Sequence, residues 1–452
     1  MQTFNGSIDI FHASAGTGKT HILMEKVAEA VGKGVPLEKI AFVTYTKKAA
    51  VEAQERASER FGVPIAKLSN FRTIHSMCFR SLQMTRFRMM DVNKYREFSE
   101  ETGFNLGRLI MNVEDGFELN SFKDNQVVLA EQLYRNNRKM FDVYTSEVTD
   151  YTRFNLFIQL YYRYKQKNNY CDFTDLLEMY LAENLTEDIE VACLDEMQDS
   201  TPLQWKVVMQ AFSNAKQIYV AGDNKQALYS FNGGDDEILL NLRGTQHVLD
   251  VTYRVPNKIL EFVQERIISD MPKVIQDTSY CTSYKQGGEV IHLAQAEEFM
   301  DDFDDSKSYY LLSRNRSQRK IFKDICIQNG INFIMEGKAY FSSKDAKDFI
   351  MNNYDDWDEE KVLFAKDYMK DKTIWDCDNI RDPLVTISTI HGVKGGEADR
   401  VVLLTDVSPL VYKGFDIRPM DMHSVFYVAC TRAKESLYIV DPQTHRAYTH
   451  II

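Results

Sequence analysis

The sequence predicts an α/β fold with parallel sheets flanked by helices, and three observations carry that prediction. Short apolar runs alternate with stretches of helical spacing from Ile8 to about Leu82. The alternation returns at 191–223 after a long aromatic, Arg- and Asn-rich segment. A second series of the same kind begins at Tyr309.

Ile8 to Phe11 is a first strand, and the residues directly after it are the most informative stretch of the chain. Ala13, Ser14, Ala15, Gly16, Thr17, Gly18, Lys19 and Thr20 form a phosphate-cradling pattern that opens into a helical run ending near Gly32. Gly16 and Gly18 let consecutive backbone N–H groups and the helix N-terminus face phosphates. Lys19 reaches the β and γ phosphates, and Thr20 offers a hydroxyl to Mg²⁺.

Ile40 to Thr44 and Phe71 to Ile74 are further strands, each preceding a helix. From about 85 to 170 the spacing is helical, with no convincing strand. Strands at 191–195 and 217–223 rejoin the first sheet, each ending in an acid where ligands bind open α/β sheets. Asp195 and Glu196 close the first of these as a phosphate-loop partner pair, one acid for Mg²⁺ and one for the attacking water. The second series runs through 309–313, 385–389, 401–405 and 437–440, interrupted at roughly 341–382 by a stretch able to hold two short helices.

Composition sets the outer bounds. The length of 452 residues allows about two to four domains. A net charge of −12 excludes a basic coat, so any nucleic-acid track is a local groove. The seven cysteines make no CxxC pair and read as reduced core residues. No apolar run approaches a membrane span and no signal pattern opens the chain, so a cytoplasmic protein without a membrane partner is expected.

From residue 10 to residue 440 the sequence resembles the UvrD/Rep family of superfamily 1 helicases, in a compact form. AFVTYTKKAA at 41–50 is similar to that family's TFTNKAA, FRTIHSMC at 71–78 to TFHSxC, and DFTDLL at 172–177 to DFxDLL. DEMQDS at 195–200 resembles DEFQD, and GDNKQALYSFNG at 222–233 resembles GDxxQSIYxWRGA. TYRVPNKIL at 252–260, SRNRSQ at 313–318, TIHGVKGGEADRVV at 389–402 and YVACTRAK at 427–434 continue the series in family order.

The resemblance implies two RecA-like P-loop NTPase lobes: 1–85 with 171–255, and 256–340 with 383–452. Residues 86–170 become a helical insertion of the first lobe, and 341–382 a short insertion in place of the family's large helical subdomain. It implies ATP and Mg²⁺ as cofactors, and as catalytic residues Lys19, Glu196, Gln226, Arg254 and Arg432, the two arginines neutralising phosphate charge. Thr20 and Asp195 would hold the metal, while His21, Tyr253 and Glu397 join residues 13–20 around the nucleotide. Tyr45, Tyr229 and Phe231 stand where the family stacks bases, and Lys47, Thr73, His75, Thr389 and His391 where it contacts the strand. Taken alone, each aromatic is more often core than platform.

The implied activity is an ATP-dependent helicase that translocates on single-stranded DNA 3′ to 5′ and opens duplexes at single- to double-strand junctions, with a replication or repair partner. Two other readings stay open: a translocase that displaces proteins without separating strands, and a non-hydrolysing switch or loading factor. Only twelve residues precede Ala13, and Gln2 is a poor substitute for the family's upstream adenine-reading Gln. His21 replaces the arginine that packs on the base, Asn232 replaces the WRGA arginine, Gly396 replaces a leucine, and the acidic pair before YVACTRAK survives only as Asp421 and Met422. With the sequence ending soon after Val440, a nuclease domain like that of RecB-like relatives is not expected. With base recognition thus weakened, GTP is expected to support turnover nearly as well as ATP. Side-by-side steady-state rates check this, and a strong ATP preference refutes it.

Overall fold

The computed structural model describes residues 6–106, 124–145, 150–277, 281–370 and 382–452, together with 372–373, 376–377 and 380. The chain divides into two compact units, Met1–Val251 with Lys273–Cys281 and Thr252–Pro272 with Thr282–Ile452.

In the first unit β1 (Ser7–His12), β2 (Ile40–Thr44), β3 (Phe71–Thr73), β4 (Val191–Leu194), β5 (Gln217–Gly222) and β6 (Thr245–Val248) form one sheet in the order β3-β2-β4-β5-β1-β6. Every pairing is parallel. Strand residues alternate between two cores. Ile10, Ala41, Val43, Ala192, Leu194, Ile218 and Val220 face one, while Phe11, Ile40, Phe42, Val191, Cys193 and Ala221 face the other. A parallel sheet buried on both faces therefore reads as near-continuous apolar runs. Helix Lys19–Gly32 buries Leu23, Met24 and Val27 on one face beside Ala53 and Ala57 of helix Lys47–Phe61. Helices Ile74–Ser81, Phe173–Ala182 and Pro202–Ala211 cover the other with Met77, Leu176, Leu177 and Val207.

The described part of 86–170 is helical. Helices Val92–Thr102, Asn125–Asn136 and Tyr151–Asn168 enclose Tyr95, Phe98, Val127, Phe157 and Tyr161. An ionic network ties these helices to helix Phe173–Ala182. The Arg135 side chain, 5% exposed, reaches Glu131 at 3.0 Å, Asp172 at 3.2 Å, Asp175 at 2.5 Å and Glu178 at 2.7 Å. Lys165 adds contacts of 2.6 Å to Asp172 and 2.7 Å to Asp175. Burial works against the charge on Asp172, yet Lys165 and Arg135 hold its carboxyl below the usual range. The two aspartates also build the helix's capping box, so the DFTDLL segment starts a helix and docks the helices of 86–170 at once.

β7 (Val251–Thr252) and β8 (Thr282–Ser283) pair as a short ladder. The second unit holds β9 (Glu289–Leu293), β10 (Tyr309–Ser313), β11 (Phe333–Met335), β12 (Lys338–Ala339), β13 (Val385–Thr389), β14 (Ala398–Leu404) and β15 (Ala433–Val440), in the order β12-β11-β13-β10-β14-β15-β9. All neighbours are parallel except β11 with β12. Leu311, Ile387, Val402 and Tyr438 pack on Phe322 and Ile325 of helix Arg319–Gln328. Helices Ser343–Ile350 and Glu359–Tyr368 gather Phe341, Phe364 and Met369 into a small core of their own.

The sequence pattern does not reveal β6, β9, β11 and β12. β6, β9 and β12 are sheet edges, where half the pattern faces water and polar residues are tolerated, and β11 is three residues long. Gln2 lies outside the described residues.

Replacing Arg135 by Met strands buried carboxylates without their cation. We expect Arg135→Met to cost about 3–5 kcal/mol in equilibrium denaturation of the first unit; a change near zero would mean the network does not anchor these helices.

Candidate functional site

β1 delivers the phosphate loop. The Ala13 N–H donates to the Gly222 carbonyl at 3.0 Å, carrying the β1–β5 pairing one residue into the loop. The Ser14 N–H donates to the Thr17 hydroxyl at 3.2 Å, and that hydroxyl donates back to the Ser14 carbonyl at 3.0 Å. Gly16 and Gly18 take φ of 74° and 84°, the left-handed region that favours glycine. Gly18 occupies the cap position of helix Lys19–Gly32, where the first N–H groups lack intrahelical acceptors and suit an anion.

β4 ends in the acidic pair. Asp195 is held in register by its N–H on the Val43 carbonyl at 2.8 Å, and its carboxylate accepts from the Thr20 hydroxyl at 2.7 Å. Glu196 takes φ of 56°, a left-handed conformation unusual for a non-glycine residue, and its Oε1 lies 3.2 Å from Lys19 Nζ. Burial opposes the Lys19 charge, but Glu196, Asp223 and Asp195 together hold its ammonium above the usual lysine range. Burial, then the neighbouring Glu196, pushes the Asp195 carboxyl up to about 6.

Two residues to which the sequence pattern gives no role join this group. Gln198, fully buried, donates to Glu196 Oε2 at 2.5 Å and accepts from the Asp223 N–H at 3.1 Å. Lys225, also fully buried, reaches the loop from β5's end. Both stand inside recognised motifs, but their importance lies in contacts with other segments, which no local pattern displays. Gln226 donates to Asp223 Oδ2 at 2.6 Å.

In the second unit Arg254 Nε donates to Glu397 Oε2 at 2.7 Å. Arg432 is 1% exposed and donates to the carbonyls of Val428 at 2.9 Å and Gly396 at 3.1 Å. Tyr253 is exposed and lies against Tyr284, ring centroids 5.4 Å apart. The departure at Gly396 has a local cause: a Cβ there would meet the Tyr310 hydroxyl at 2.3 Å.

The strand-contact candidates divide. Tyr45 is half-buried and stacks on Tyr229 with centroids 5.1 Å apart, and Phe231 lies 6.1 Å from Tyr229. Asn232, in place of the expected arginine, lies beside the Tyr45 hydroxyl. Lys47 is exposed at the start of its helix, and Thr73 caps helix Ile74–Ser81 through the Ser76 N–H at 3.3 Å. Burial drives His75 down to about 4 with Asp172 opposing, so its ring is neutral at physiological pH. Tyr229, expected at a base-stacking position, is itself buried, with Tyr45 stacked on it. Thr389 and His391 are also buried, and the Thr389 hydroxyl accepts from the Gly392 N–H at 3.3 Å. His21 is exposed on the first turn of its helix, 3.7 Å from Glu25.

A parallel sheet whose first strand feeds a glycine loop, with a lysine, a threonine and two acids converging on it, defines a phosphate-loop nucleotide-binding protein. Similarity to known proteins narrows the class. Residues 2–247 match the UvrD/REP helicase N-terminal domain and residues 369–443 the UvrD-like helicase C-terminal domain, so the chain belongs to the UvrD/REP helicase family.

A protein named "Probable DNA helicase" from Mycoplasma pneumoniae is 24% identical over 464 residues, covering 97% of this chain and 81% of that protein. The "Probable DNA helicase II homolog" of Mycoplasma genitalium is 26% identical over 294 residues, 58% of this chain and 41% of its own length. The "ATP-dependent DNA helicase PcrA" of Staphylococcus aureus is 24% identical over 404 residues, 80% of this chain and 54% of its own. The chain thus spans about two fifths of the helicase II homologue and about half of PcrA.

Gly222 is required for close packing here: a Cβ would meet Leu239 Cδ2 at 2.4 Å and Gln198 Oε1 at 2.8 Å. Gly222→Ala is expected to destabilise the first unit by about 1–3 kcal/mol in equilibrium unfolding. An unchanged midpoint would show that Leu239 and Gln198 yield freely.

Proposed function

We propose that this chain hydrolyses ATP with Mg²⁺ and uses the cycle to move along single-stranded DNA, 3′ to 5′, opening duplex ahead of it. The observation that carries the reading is the convergence of Lys19 on Glu196 at 3.2 Å beside Thr20 on Asp195 at 2.7 Å. Its relatives' names, helicase in each case, point the same way.

In this reading, a triphosphate in the loop draws the Lys19 ammonium onto its β and γ oxygens and off Glu196. The carboxylate, still held by Gln198, is then the base for the attacking water. Thr20 and Asp195 supply hard oxygen donors of the kind Mg²⁺ takes, and the ion neutralises phosphate charge when bound. Gln226 responds to the γ phosphate, while Arg254 and Arg432 supply the positive charge that hydrolysis needs. Tyr253 stacks on the base and Glu397 contacts the ribose. Tyr45, backed by Tyr229, offers bases a stacking face, which grips without reading sequence. Residues 86–170 and 341–382 act as insertions on the two motor lobes, and a protein partner sets where the motor loads.

Adding single-stranded oligonucleotides at low salt is expected to raise the ATPase rate, and Glu196→Gln to lower turnover by about 10²–10⁴. Hydrolysis indifferent to oligonucleotides, or a Glu196→Gln variant equal to wild type, overturns the proposal. Unwinding of 3′-tailed but not 5′-tailed duplexes supports the polarity. Strand-stimulated hydrolysis without unwinding on any tail would favour a protein-displacing translocase.

A further inference from the structure

Lys225 is a lysine where a lysine is expensive. Its side chain is fully buried, and an ammonium taken out of water must recover that cost from its neighbours. An apolar residue of similar volume would fit such a place at no electrostatic cost, so the charge is to be explained by what it touches.

It touches two segments that the chain keeps far apart in sequence. Lys225 Nζ lies 3.1 Å from the Ser14 hydroxyl oxygen and 3.4 Å from the Ala13 carbonyl, the opening residues of the phosphate loop. The same Nζ lies 3.2 Å from Asp223 Oδ1. That oxygen also accepts the Lys225 N–H at 3.1 Å, while the other, Oδ2, accepts from Gln226 at 2.6 Å. The Asp223 carboxylate is therefore shared between the ammonium that grips the loop and the amide that sits one residue further on. Burial pulls the Lys225 ammonium below the usual lysine range, and Asp223 opposes that pull.

We infer that Lys225 is a positioning residue that ties the opening of the phosphate loop to the Asp223 carboxylate, so that loop shape and Gln226 orientation are set together. The inference rests on the reading of residues 13–20 as the nucleotide loop. It adds a specific role to it: a shift of the loop on nucleotide entry is transmitted through one ammonium to Gln226, without passing through Lys19.

Lys225→Met alone leaves the Asp223 carboxylate buried without its cation and can fail to fold. The test therefore compares Lys225→Met/Asp223→Asn with Asp223→Asn by hydrogen exchange on the full-length chain without nucleotide. Backbone amides of residues 14–18 are expected to exchange roughly tenfold faster in the double variant, with helix Pro202–Ala211 unchanged. Equal exchange in the loop overturns the inference, because the loop then holds its shape without the ammonium. Faster exchange throughout the first unit also overturns it, because Lys225 would then hold the fold and not the loop. Where Lys225→Met does fold, kcat for ATP is expected to fall with KM little changed, and a rise in KM at constant kcat counts against positioning. A wild-type protein that hydrolyses nothing overturns the proposed function instead, and the exchange comparison decides this inference by itself.

Discussion

A buried balance of charge at the carboxyl ends of three adjacent strands is what the rest of the site depends on. β1, β4 and β5 are neighbours in a parallel sheet, so all three release their chains on the same edge. That geometry places Lys19 just after the loop from β1, Asp195 and Glu196 after β4, and Asp223 and Lys225 after β5. Each of the aspartates and lysines is largely withdrawn from water, and none is tolerable without the others. The sheet thus explains why the charges meet, and the charges explain why the strand ends cannot drift.

The same economy governs the helices of 86–170. Asp172 and Asp175 cap their own helix through backbone N–H groups and at the same time receive Arg135 and Lys165 from those helices. Docking is therefore charge-specific, while Tyr95, Phe98, Phe157 and Tyr161 make an apolar core within these helices themselves. Helices fixed by a guanidinium in a cage of carboxylates have one orientation, whereas an apolar patch alone would permit several.

Much of this was legible in the sequence, for a physical reason. Strands buried on both faces must be apolar nearly throughout, so β2 and β4 announced themselves, while the polar edge strand β6 did not. Lys19, Thr20, Asp195 and Glu196 were legible because a phosphate loop fixes residue type at fixed spacing. Gln198 and Lys225 were not, since each acts by bridging segments distant in the chain. The burial of Tyr229 was equally hidden, because whether an aromatic is platform or support depends on the ring above it. Departures from the family pattern proved local: Gly396 yields space to Tyr310, and Asn232 lies beside the Tyr45 hydroxyl where an arginine was expected.

The charge balance also bears on what the loop is built to receive. Two ammonium groups, on Lys19 and Lys225, face three carboxyl groups, on Asp195, Glu196 and Asp223, and the excess is negative. The strain of that excess falls on Asp195, whose carboxyl is pushed up to about 6 by burial and by Glu196. A bare polyphosphate entering such a place adds charge of the same sign and meets repulsion from the strand ends even as the loop N–H groups attract it. A polyphosphate carrying a divalent cation brings the compensating charge to the side where Thr20 and Asp195 already converge. In the proposed function the acids would thus contribute to selectivity for a metal-bound nucleotide as well as to hydrolysis. Removing the Asp195 charge would ease the apo protein and weaken its discrimination in the same step.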